Sequence, residues 1–266
     1  MLPPMKKHEK TAKPSKKEKN RPTLYGFHAV REAWLNPARN VQALYVTPQA
    51  HKGFEAIQTE EKKRSLKRPE PQTIEKDKLE KLLPKGAVHQ GIALCTQPLD
   101  EHDIRDFLIQ SKTRDKTLLA MLDQVTDPHN VGAILRSASA FGVNGVIMQK
   151  KHAPELSGVL AKTACGAVEH VPVAQETNLS RAIETLKDEG FFIIGLDERG
   201  EQTLDAYAKN NVPQKSVIVL GAEGDGIRRL IKENCDILLR LPTSGDIASL
   251  NVSNAAAISF YAFSSA

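Results

Sequence analysis

The sequence predicts an α/β protein whose larger part is a mostly parallel sheet and whose smaller part, nearer the amino terminus, is a separate α/β unit. Three observations carry this. From Lys116 onward, apolar runs of strand length at Leu118 to Leu122, Gly145 to Met148, Phe192 to Leu196, Ser216 to Leu220 and Ile237 to Leu241 alternate with helical patterns, and βαβ alternation gives a parallel sheet covered on both faces. Between Thr23 and Cys95 a shorter alternation of helix and strand patterns stands apart. Residues 96 to 112, with Pro98, Asp100, Glu101, His102 and Asp103, have the composition of a linker, with room for a short helix over Ile104 to Ile109.

Residues 1 to 22 hold seven lysines and one arginine against Glu9 and Glu18, a net charge of +6. The chain as a whole carries +5, so the remainder is close to neutral at −1. Pro3, Pro4, Pro14 and Pro22 interrupt this tail, and it has too few apolar residues to offset chain entropy by burial. It is expected to be a disordered basic arm, suited to nucleic-acid phosphates or serving only for solubility. The unit that follows, residues 23 to 95, reads as a helix over Gly26 to Leu35, a strand over Val41 to Val46, helices near Phe54 to Leu66 and Lys76 to Leu83, and a strand over Ile92 to Cys95. Lys62, Lys63, Arg64, Lys67 and Arg68 suggest a basic patch beside Glu60 and Glu61, or a solvated helix end.

Composition excludes several classes of protein. At 266 residues and 40% hydrophobic content the chain supports a real core. No apolar run approaches the roughly 20 residues of a membrane helix, and the charged amino terminus lacks the apolar stretch of a secretory signal. Cys95, Cys165 and Cys235 are widely spaced with no C-x-x-C pair, which argues against a disulfide framework or a zinc site. A reducing, cytoplasmic setting without membrane or metal is expected.

Three segments carry chemistry, each at a strand-to-helix junction. In Asp127-Pro128-His129-Asn130-Val131-Gly132-Ala133-Ile134-Leu135-Arg136, the residues Val131, Ile134, Leu135 and Ala138 form an apolar stripe. Gly132 and Arg136 are four apart and are expected on a face away from it, the glycine baring backbone for a ligand beside the guanidinium. In Val217 to Ile227 a buried strand runs into Gly221-Ala222-Glu223-Gly224-Asp225-Gly226, which matches neither the dinucleotide fingerprint nor a P-loop. The third segment, Pro242 to Ala256, ends a strand at Pro242, turns at Gly245 and places Ser249 and Asn251 at the mouth of an alanine-rich helix. Either residue suits a plain N-cap; together with orphan helix N–H groups they also suit a ligand rich in oxygens or an adenine edge.

Taken in order, these segments resemble the motifs of the SpoU (TrmH-like) family of the SPOUT superfamily, S-adenosylmethionine-dependent RNA ribose 2′-O-methyltransferases. N-x-G-x-x-x-R is met by Asn130, Gly132 and Arg136, G-x-E-G by Gly221, Glu223 and Gly224, and S-L-N-V-S by Ser249 to Ser253. Leu24 to Val30, Val88 to Ala93 and Ala164 to Pro172 are similar to the members that methylate a guanosine in 23S ribosomal RNA, so the resemblance spans about residues 23 to 266.

The resemblance implies a ribosomal-protein L30e-like substrate domain over residues 23 to 95 and a methyltransferase domain over residues 113 to 266. It also implies that the second is an α/β-knot, a deep trefoil knot that topology rules alone would not predict. It implies a homodimer acting on 23S rRNA, with S-adenosyl-L-methionine held by Gly221, Leu241 and Leu250. Asn130, Ser249 and Asn251 would align ribose or phosphate, Glu223 would hold RNA or orient a partner, and Arg136 is the residue associated with the 2′-hydroxyl. A guanidinium is not readily deprotonated, so Arg136 is expected to stabilise the forming alkoxide, with the adjacent His129 as the other candidate base. Two other functions stay open in the sequence: methylation of transfer RNA or another ribosomal site, and a non-catalytic RNA-binding role in ribosome assembly.

Overall fold

Two sheets organise the chain in a computed structural model that describes residues 21–209, 212–244 and 249–264. All but the last two residues of the expected tail, and the turn at Gly245, lie outside the described residues.

The first unit comprises β1 (Leu24–Tyr25), α1 (Phe27–Leu35), β2 (Val41–Val46), α2 (Pro48–Lys63), β3 (Gln72–Thr73), α3 (Lys76–Leu82) and β4 (Ile92–Thr96). Its strands run in the order β1-β4-β2-β3; the β1/β4 and β4/β2 pairs are antiparallel and β2/β3 is parallel. The unit's core centres on Trp34, fully buried and edge-on to Phe54 at 5.3 Å, with its ring N–H donating to Glu61 at 2.9 Å. Helix α2 starts at Pro48 rather than near Phe54. Extended Thr47 followed by proline at the first helical position sets that start, whereas the apolar pattern marks only where the buried face begins. Arg68 is no part of a basic patch. It turns inward and donates to the carbonyls of Trp34, Asn36 and Arg39, which closes the carboxyl end of α1, and burial lowers its pKa.

The second unit contains α4 (Ile104–Ser111), β5 (Thr117–Asp123), α5 (Pro128–Ala140), β6 (Gly145–Gln149), α6 (Gly158–Thr163), β7 (Val173–Glu176) and α7 (Leu179–Asp188). It continues with β8 (Phe192–Leu196), β9 (Gln202–Thr203), α8 (Leu204–Ala208), β10 (Lys215–Gly221), α9 (Arg229–Glu233), β11 (Ile237–Arg240) and α10 (Val252–Ser264). Its seven strands lie in the order β7-β6-β5-β10-β8-β11-β9, all paired in parallel. Alternate residues of β5 explain both covering layers. Leu118, Ala120 and Leu122 face α5, α6 and α10, while Leu119 and Met121 face α4, α7 and α9. Helix α4 belongs to this second layer. Asp103 and Asp106 form a capping box at its start, and Phe107 lies so close over Gly145 that any side chain there would strike its ring. The path from β11 to α10, which a trefoil knot would involve, includes residues 245–248 outside the described set.

Candidate active site

The carboxyl ends of β5 and β10 are register partners, Asp123 opposite Gly221, at the centre of the parallel sheet. Crevices outside such strand ends are where open α/β sheets bind ligands. Three connections meet there. After β5, Asp127 caps α5 by accepting the His129 N–H at 3.0 Å, and Pro128 opens the helix. This sets Asn130 in the first turn, within reach of Glu223 just beyond the end of β10.

After β10 the chain doubles back, Gly226 N–H to Ala222 O at 3.0 Å, with Gly224 and Gly226 at φ values of 84° and 64°. Gly221 packs against the returning limb of this turn: a Cβ there would collide with the backbone of Gly226 and Ile227. The limb is tied down by Arg228, whose backbone N–H (2.9 Å) and guanidinium (2.8 and 2.6 Å) all bond to the fully buried Asp123. Sequence reading missed Asp123 and Arg228; the signal was a carboxylate closing the apolar run Leu118 to Leu122 of a parallel strand.

Asn251 then joins the three motifs. Its Oδ1 accepts Ser253 N–H at 2.8 Å and Ser253 Oγ–H at 2.6 Å, which is an N-cap for α10. Its Nδ2 donates to Asn130 Oδ1 at 3.0 Å and to Glu223 Oε1 at 2.6 Å, and Asn130 Nδ2 donates to the same Glu223 oxygen at 2.9 Å. The capping role and the cross-motif role are therefore both present in one side chain.

Beside this triangle lies a cavity of about 350 Å³. Gly221, Glu223, Leu241, Ser249 and Leu250 line it, as five of the eight candidate residues. The end of β8 supplies Leu196, Asp197 and Arg199, which sequence reading did not select although they too follow a parallel strand. Asp197 receives the Arg199 N–H at 2.9 Å and pairs with Lys232. Burial works against its charge, but the Lys232 and Arg199 bonds and their positive charges prevail and hold its carboxyl below the usual range.

Arg136 does not line the cavity. It lies on α5 about 9 Å beyond Asn130 along the axis, exposed, with no ion pair to a described residue. Gly132 does not share its open face, contrary to the sequence expectation. It is buried against α6, where a Cβ would meet Leu160 O at 2.7 Å, so the glycine serves helix–helix approach rather than ligand access. His129 is exposed in the first turn. Burial pushes the Cys95 and Cys235 thiols up to about 11 and about 12, which disfavours the nucleophilic thiolate at both. Among the described residues no group of three or more His, Cys, Asp and Glu could hold a metal ion, and no helix is long and apolar enough to cross a membrane.

Comparison with known proteins identifies the family. Residues 117–261 match the SpoU rRNA Methylase family, and residues 23–102 match the family for RNA 2′-O ribose methyltransferase substrate binding. The 23S rRNA (guanosine-2′-O-)-methyltransferase RlmB of Vibrio cholerae is 38% identical over 244 residues, 90% of this chain and 94% of that protein. The RlmB of Vibrio parahaemolyticus is 46% identical over 180 residues, 66% of this chain and 70% of its own. Among solved structures, the SpoU methyltransferase AviRb from Streptomyces viridochromogenes in complex with the cofactor AdoMet shares the fold with a TM-score of 0.70. It is 22% identical, and the match covers 91% of this chain and 88% of that one. With motifs, fold and both halves matched in order, the chain belongs to the SpoU rRNA methylase family.

Proposed function

We propose that the protein transfers a methyl group from S-adenosyl-L-methionine to the ribose 2′-hydroxyl of a guanosine in 23S ribosomal RNA, working in the cytoplasm as a homodimer with a knotted catalytic domain. The observation that carries this reading is the Asn130–Glu223–Asn251 triangle at the rim of the cavity. The cavity's volume is that of a small-molecule site. Its mixed lining, apolar at Leu196, Leu220, Leu241 and Leu250 and charged or polar at Asp197, Arg199, Glu223, Lys232 and Ser249, fits a nucleoside with an amino-acid tail. When bound, S-adenosyl-L-methionine supplies an electrophilic methyl group on its sulfonium.

The protein's own contribution is then largely orientation. Glu223 Oε1 holds both amides, and no described residue bonds its Oε2, which remains free to face substrate. Asn130 and Asn251, fixed by that carboxylate, align the ribose and its phosphate, with Ser249 at the cavity wall. Arg136 stabilises the alkoxide as the hydroxyl loses its proton; because it lies outside the cavity of its own chain, it would do so at the partner's site in the proposed homodimer, and no described residue pairs its guanidinium. Dimerisation is supported by the uncovered apolar groups on and beside α10: Leu250, Ile258 and Tyr261 are 42%, 45% and 60% exposed. Residues 23–95 would hold the RNA, and the +6 tail would add phosphate contacts. Mass spectrometry of nuclease digests tests the reading. One 2′-O-methylguanosine in 23S RNA is expected, and a methylated base, or product on transfer RNA alone, refutes it.

A further inference from the structure

The segment Ala164 to Pro172 is singled out by the sequence yet takes no part in the site. It makes a left-handed turn at Cys165 and Gly166 (φ 51° and 89°), followed by a single helical turn over Ala167–Glu169. Any side chain at Gly166 would run into Glu32 of α1, and His170 bonds Glu32 at 2.9 Å. Glu169 points into the first unit and is satisfied there on both oxygens. Arg39 Nε donates to Oε2 at 2.9 Å, Arg39 Nη2 to Oε1 at 2.8 Å, and Asn36 Nδ2 to Oε2 at 2.7 Å. The Arg39 and Glu169 side chains are 3% and 2% exposed. Arg39 Nη1 donates to the Gln97 carbonyl at 2.8 Å, and Arg68 braces the carbonyls of Arg39 and Asn36 from behind. On its other side the segment packs against α5, since a Cβ at Gly132 would lie 3.2 Å from Ala164 N.

We propose that Arg39 and Glu169 are positioning residues, a clasp that fixes the RNA-holding unit against α5, the helix bearing Asn130 and Arg136. This deepens the functional reading above and rests on it. A buried bidentate pair suits the task. Loss of one partner leaves a buried charge uncompensated and drives the interface open, whereas replacing both with apolar groups of similar volume is tolerated. The clasp therefore governs where a bound RNA meets the site, and it contributes nothing to cofactor or RNA affinity.

The test uses the full chain as Glu169→Gln, Arg39→Gln and the double Arg39→Met/Glu169→Leu. Each single variant is expected to lower kcat for RNA methylation on the order of 100-fold, the scale of a small misplacement at a reacting centre. Affinities for S-adenosylhomocysteine and for 23S RNA stay unchanged, and small-angle scattering gives a larger maximum dimension. The double variant recovers both kcat and the compact scattering. Should a single variant fail to fold, Arg39→Lys, which keeps the charge but loses the fork, is read by the same measurements. Wild-type kcat in the single variants, kcat loss in them without a change in scattering, or loss of RNA affinity in its place would overturn the clasp. If the wild-type protein methylates no 23S RNA, the functional reading fails, while scattering still decides whether the pair holds the two units together.

Discussion

Asn130 and Glu223, 93 residues apart in the chain, are joined by a 2.9 Å hydrogen bond, and Asn251 donates to the same carboxylate oxygen at 2.6 Å. One acceptor thus sets two amides from two other motifs. Glu223→Ala leaves both without it, and single-turnover methyl transfer is expected to slow on the order of 100-fold, the scale of losing one oriented group at a reacting centre. Glu223→Gln keeps an acceptor oxygen and is expected to lose only about 10-fold, because bonds to a neutral acceptor are roughly half as strong. Equal losses would mean that the charge itself acts on the substrate.

Arg136 has the opposite surroundings, exposed and unpaired with any described residue. Its removal therefore costs little stability but should cost rate. Arg136→Ala is expected to lower single-turnover methylation on the order of 100-fold with an unchanged melting temperature, while Arg136→Lys retains measurable activity. A larger fall in His129→Ala than in Arg136→Ala would move the proton acceptor to the histidine.

How legible these features were in the sequence depended on whether their cause was local. The long strands β5, β6, β8 and β10 are near-continuous apolar runs and were visible as such. The two-residue strands β1, β3 and β9 were not, because pairing partners rather than their own composition define them. The motif residues were legible as capping and turn types, but the reasons for two glycines were not. Gly132 answers to α6 and Gly221 to Gly226 and Ile227, contacts that exist only after folding. The inward turn of Arg68 and the Arg39–Glu169 pair were hidden for the same reason: a charge in a sequence reads as surface until its buried partner is known.

Gly221 illustrates the consequence. Valine or even alanine here does not simply block a ligand, since the added Cβ meets the turn's own backbone. Overpacking of about 1–3 kcal/mol predicts a melting temperature lower by roughly 2–12 °C for Gly221→Ala, with cofactor binding lost alongside. Leu250 is the cleaner probe, because it lines the cavity yet is 42% exposed. Calorimetric titration of Leu250→Ala with S-adenosylhomocysteine is expected to show about 10-fold weaker binding, as for loss of part of one leucine's burial, at an unchanged melting temperature. Wild-type affinity in that variant would remove Leu250 from the cofactor site.

Asp197 gives the cavity a dependence on pH. Its carboxyl is held below the usual range even though burial pushes the other way, because the Lys232 bond, the Arg199 N–H and both positive charges favour the ionised form. A depressed folded value means that the unfolded chain takes up the proton first. The contribution to stability is then complete above the ordinary aspartate value of about 4 and is lost as the pH falls through the lower folded value. Melting curves of wild type and Asp197→Asn are therefore expected to differ most at neutral pH and to converge as the pH drops below about 4. Affinity for S-adenosylhomocysteine should follow, because Asp197 and Arg199 both line the cavity and the Lys232 pair anchors their loop to α9. A gap between the two proteins that stays constant from neutral to acid pH would show that the charge of Asp197 does not hold the loop, and the pairing with Lys232 would then be a contact of the surface rather than part of the site.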